Sequence, residues 1–84
     1  MVYTYLLQNP TNGSFYTGIA KNPLERLKEH NSGKSKFTSK FKNWKLVYTK
    51  EHNNYEEARK HEKWLKKKNV IYKNKLAGQE FGSV

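Results

Sequence analysis

The sequence predicts a small mixed α/β (α+β) domain with the element order β-β-α-β-α and a short third helix. Three observations predict it. Two alternating segments, Val2 to Leu7 and Ser14 to Ile19, flank a turn-rich stretch that contains Asn12-Gly13, a strong hairpin signal between antiparallel strands. Two later segments each begin with an asparagine followed three residues on by a glutamate, Asn22/Glu25 and Asn54/Glu57, the signature of a helix start. Finally, 84 residues without an internal repeat or low-complexity tract allow one domain with one modest core. The expected domain spans residues 1–78, with 79–84 as a C-terminal tail.

Taken in order, the first strand places Val2, Thr4 and Leu6 on one face and Tyr3, Tyr5 and Leu7 on the other. Both faces carry apolar bulk, so both are expected to be covered. In the second strand Phe15, Thr17 and Ile19 share one face, Tyr16 and Gly18 the other. Gly18 lets another group approach the backbone closely. The first helix runs from Pro23 to Asn31, with proline at its first position and Leu24 and Leu27 on the expected buried side. Arg26 and His30 are four apart and share a stripe bordering Leu27. A strand tyrosine, a glycine, an arginine and a histidine therefore converge on one concave spot.

Between Ser32 and Asn43 lie Lys34, Lys36, Lys40 and Lys42, interleaved with Phe37, Phe41 and hydroxyl side chains. This mixture suits phosphate contact with stacking, and equally a connection whose phenylalanines plug the core. Trp44 to Thr49 reads as the third strand, with Trp44, Leu46 and Tyr48 on one side. In the second helix the 3.6-residue period gathers Tyr55, Glu62, Ala58, Leu65 and His61 into one stripe. Lysines and Arg59 lie outside it. Glu62 is thus an inward acid, which needs a cation, a metal or strong donors. A structural pairing with Arg26 or with a tyrosine hydroxyl is the alternative to a metal role. Asn69 to Leu76 reads as the third helix, ended by Ala77-Gly78.

The charge narrows the function. Seventeen Lys and Arg against seven acids give +10, the footprint of a polyanion binder, with nucleic acid first; solubility is the plainer use of so many lysines. The absence of cysteine excludes disulfide scaffolds, thiolate zinc sites and thiol catalysis. No apolar run approaches a membrane span, and a cytoplasmic location is expected. All seven acids are glutamate, a poor supply for a two-metal phosphoryl-transfer site, which clusters carboxylates. His30, His52 and His61 lack zinc-ligand spacing. What remains is a set of tyrosines, Arg26, His30 and Glu62. Arginine suits the charge that develops on a phosphoryl group, and one glutamate can anchor a Mg²⁺ that keeps most of its waters.

The pattern Tyr16-Thr17-Gly18, then Arg26 eight residues after the glycine, then His30, resembles the GIY-YIG nuclease domain. Tyr3-Thr4-Tyr5 stands at the first signature, and Ala58-Arg59-Lys60-His61-Glu62 at the stretch whose final glutamate binds the metal. The likeness runs from about Val2 to Leu76. It is closest to small single-domain members similar to the N-terminal nuclease domain of the excinuclease C subunit, which acts in DNA repair. The resemblance implies a three-stranded antiparallel sheet flanked by helices and a Mg²⁺-dependent (or Mn²⁺-dependent) endonuclease hydrolysing DNA phosphodiesters by a one-metal mechanism. It implies Tyr16 as the residue that deprotonates or positions the attacking water, Tyr5 as a hydrogen-bonding partner, Arg26 and His30 at the scissile phosphate, and Glu62 as the metal ligand.

The chain departs from the pattern in places. Ile19 follows Gly18 where excinuclease members carry lysine, and Lys21 is the candidate substitute. Asn74 is a candidate for the asparagine that supports the site in some members. Two other readings keep the scaffold: a nucleic-acid binder with little or no turnover, and a module that a protein partner brings to DNA.

Overall fold

The computed structural model describes residues 1–33 and 43–77. Its elements are β1 (Val2–Gln8), β2 (Phe15–Ala20), α1 (Pro23–Asn31), β3 (Lys45–His52), α2 (Tyr55–Lys66) and α3 (Val70–Ala77). The expected order holds, and the strands form one antiparallel sheet in the order β2-β1-β3. The expected tail, residues 79–84, lies outside the described residues.

β1 is the central strand, paired along both edges, and both of its faces are apolar. Thr4 to Leu7 are buried. On one face Tyr5 and Leu7 pack with Trp44, Tyr16, Leu46 and Leu27 of α1. On the other, Leu6 packs with Tyr48, Phe15, Leu65 of α2 and Leu76 of α3. Helices thus cover both sides of a sheet too small to hold a core alone.

The hairpin turn is built by its asparagines. Asn9 Oδ1 accepts from the Thr11 amide, and Asn12 Oδ1 from the Ser14 amide, each at 2.9 Å. Gly13 takes φ +75°, a conformation that glycine adopts without steric cost. The helix starts are likewise as the sequence predicts: Asn22 and Asn54 accept from the Glu25 and Glu57 amides at 3.2 and 2.9 Å. Asn69 does the same for Tyr72 at the head of α3. At the far end of α1, the Asn31 amide both accepts from the Trp44 N–H and donates to its carbonyl. That side chain ties α1 to the start of β3.

Three sequence expectations are corrected. Tyr48 does not share a face with Trp44 and Leu46. The β1–β3 register passes from Leu6↔Tyr48 to Leu7↔Leu46, so Val47 is an extra residue. This bulge turns Tyr48 to the α2 side. Leu24 is 62% exposed rather than buried. It lines an open groove of about 470 Å³ with Tyr3, Leu46 and Thr49, so it borders the core without entering it. Tyr55 is 56% exposed; it opens α2, and Arg59 lies over its ring at 5.5 Å.

Candidate active site

Three elements supply one aromatic cluster. In the β1–β2 ladder Tyr5 stands opposite Gly18, and its ring lies directly over that glycine. A Cβ at position 18 would sit 2.5 Å from the Tyr5 hydroxyl. The space that glycine leaves is therefore filled by Tyr5, as the need for a close approach suggested. From α1, His30 Nε2 is 2.9 Å from the Tyr5 hydroxyl. The Tyr16 and His30 rings are 4.7 Å apart, and those of Tyr5 and Tyr16 6.3 Å.

These residues divide by burial. Tyr5 and His30 are fully buried, while Tyr16 is half-buried and Arg26 partly open to solvent. Burial, joined by the charges of Tyr16 and Glu62, pushes the Tyr5 hydroxyl up to about 12 against the pull of Arg26. Tyr5 therefore stays protonated and acts as a hydrogen-bond donor or acceptor, never as a base at neutral pH. Burial, with Arg26 nearby, lowers the His30 pKa. A neutral imidazole beside a protonated phenol makes a hydrogen bond without a net buried charge. His30 is sealed from solvent, with its Nε2 on the Tyr5 hydroxyl.

Arg26 is held charged by the Tyr5 hydroxyl first, and by Glu29 one turn on, with which it forms an ion pair. Glu29 is a partner the sequence reading missed, although the i,i+3 spacing of an acid and a base was visible. Glu62 lies on the inward flank of α2 with its side chain 19% exposed. Its ion pair runs to Lys66 at 3.4 Å, not to Arg26, so the structural pairing proposed as the alternative is replaced by a local one. The charge of Glu62 nonetheless reaches the Tyr5 hydroxyl. Among the described residues no three histidines or acids gather into a metal site. A Mg²⁺ that keeps most of its waters needs few protein carboxylates, and a single one such as Glu62 would be enough to anchor it.

Two of the remaining candidates fall within the described residues. Lys21 is exposed and lines the groove beside Leu24. Lys34, Lys36, Lys40 and Lys42 lie outside the described residues. Asn74 accepts from Gln8 Nε2 at 3.2 Å, on the helix that covers the other face of the sheet.

Gly18→Ala is expected to lower stability by about 1–3 kcal/mol, as for an overpacked core, because the added methyl must displace a fully buried, hydrogen-bonded tyrosine. Thermal melting checks this. A variant that melts with the wild type would show that Tyr5 moves aside freely.

The chain matches the family model of the GIY-YIG catalytic domain over residues 1–75. A solution NMR structure of a UPF0213 protein from Bacillus halodurans is 33% identical, with a TM-score of 0.58, covering 98% of this chain and 88% of that one. No curated protein matches the chain. Among the described residues no helix is long and apolar enough to cross a membrane.

Proposed function

Because this chain belongs to the GIY-YIG catalytic-domain family, a family of nucleases, we propose that it is a DNA endonuclease that depends on a divalent metal. The observation that carries this reading is the convergence of Tyr16, Arg26 and the buried Tyr5–His30 pair on one spot. In this reading residues 1–78 form the nuclease domain. The half-buried Tyr16 holds or deprotonates the attacking water. Arg26 faces the charge that grows on the phosphoryl oxygens in the transition state. Tyr5 is locked by His30 and keeps Arg26 oriented through its hydroxyl. Glu62 holds the metal, which when bound would polarise the phosphodiester and stabilise the leaving oxygen. The five residues contain one carboxylate, so the mechanism is a one-metal mechanism. The same reading places the chain in an excinuclease-like repair role in the cytoplasm.

The test is cleavage of supercoiled, branched and single-stranded DNA by the isolated chain with Mg²⁺ or Mn²⁺. Cutting that stops with chelator is expected. Binding without cutting under every condition would make the chain a nucleic-acid binder on a nuclease scaffold. Cutting only when a second protein is added would make it a module that a partner brings to DNA.

A further inference from the structure

The corner where α2 meets α3 has no part in the site above. It holds an open pocket of about 410 Å³ lined by Lys67, Lys68, Asn69, Ile71, Tyr72 and Lys75. The lining carries three lysines and no acid. Lys68 is not a freely swinging surface lysine. Its ammonium lies 4.8 Å from the Trp64 ring centre and 5.4 Å from that of Tyr72. The two rings meet edge to face at 5.6 Å, and His61 stacks on Trp64 at 5.1 Å. Cation–π contacts of this kind hold a lysine in place and remove part of the entropy cost of using it.

The corner is separate from the catalytic carboxylate. Glu62 and Trp64 are about 160° apart around α2, given about 100° per residue. They lie on opposite flanks of the buried Ala58–Leu65 stripe. The charge does not stop at the pocket. Lys60, Lys63 and Lys67 share one stripe on the outer face of α2, although Lys60 also meets Glu56 at 3.9 Å. From Lys60 to Lys67 the helix rises about 10 Å, about three phosphate steps along one strand at 3.4 Å each. A row of that length suits a polymer better than a single phosphate. The aromatic rings are occupied in fixing His61 and Lys68, which suits backbone contact rather than base stacking.

We propose that the α2–α3 corner is a second DNA contact, at which Lys67, Lys68 and Lys75 clamp backbone phosphates away from the cut site. The identity of the polymer rests on the nuclease reading above. The experiment is anisotropy titration of a labelled DNA duplex in chelator over a range of salt, for the wild type, Lys67→Ala/Lys68→Ala/Lys75→Ala, and Lys67→Gln/Lys75→Gln. The second variant leaves the aromatic clamp on Lys68 intact, so it reports even if the triple variant folds poorly. The slope of log affinity against log salt is expected to fall by about 2 to 3 in the triple variant and by about 2 in the double. An abasic oligonucleotide should compete as well as one bearing bases. Unchanged slopes in both variants against a steep wild-type slope would overturn the corner and leave the nuclease reading standing. A wild type that binds no DNA would overturn both. Displacement by inorganic phosphate beyond the effect of its ionic strength would make the corner a small-anion pocket and end the proposal.

Discussion

Glu62→Gln is expected to abolish DNA cleavage while the metal-free protein melts at the wild-type temperature or slightly above it. The substitution keeps the shape of the side chain and removes the negative charge that would hold Mg²⁺. No aspartate is available to take its place, and Glu29 is already paired with Arg26. The stability side follows from the partner. Glu62 pairs with Lys66 one turn along the same helix, and that lysine is more than half exposed. A pair of this kind contributes about 0.3–0.5 kcal/mol, against which stands the cost of keeping a carboxylate mostly shielded from water. Metal-free DNA affinity should hold or rise, because a negative charge leaves a phosphate-binding surface. Melting and cleavage of wild type and variant, each with and without Mg²⁺, make the comparison. A variant that melts several degrees lower yet still cuts would sink the metal-ligand role and the one-metal mechanism with it.

The tyrosines are expected to separate in the opposite way. Tyr16→Phe should reduce single-turnover cleavage by about a hundredfold or more, the usual size of a lost general base, with melting nearly unchanged. Tyr16 is half-buried, and its ring contact with His30 survives the loss of the hydroxyl. Tyr5→Phe should do the reverse. It takes the Tyr5 hydroxyl away from His30 Nε2 in a fully buried setting, and a buried polar group deprived of a partner costs about 1–3 kcal/mol. Its effect on cleavage should be milder, through a less well-held Arg26. With a hydroxyl pKa of about 12, Tyr5 adds no inflection to a cleavage profile between pH 6 and 10. If Tyr5→Phe proves the more damaging to cleavage and the less damaging to melting, the two roles are exchanged.

Much of this fold is legible in the sequence. The asparagine caps, the proline at the head of α1 and the Asn12-Gly13 turn are local devices, and their hydrogen bonds close within a few residues. The doubly apolar first strand indicated two covered faces, and packing covers both faces of β1. Gly18 indicated a close approach, and the Tyr5 ring supplies it. The placement of Tyr16, Arg26 and His30 near one another followed from strand alternation and helical spacing.

Other features depended on what lies across the fold. Alternation along β3 gave the wrong face for Tyr48, because a bulge counts residues on two strands at once and a single strand does not reveal its partner's count. Helical period put Leu24 and Tyr55 on buried stripes. Each sits in the first turn of its helix, where the stripe runs beyond the surface it packs on. The division of the site into an accessible Tyr16 and Arg26 and a sealed Tyr5–His30 pair is likewise tertiary. Sequence determined which residues share a face within one element, since periodicity is a property of one element. The depth at which they meet, and with it which hydroxyl stays protonated and which carboxylate pairs locally, was decided by the packing of α1 and α2 against opposite faces of the sheet, because desolvation depends on every neighbour at once.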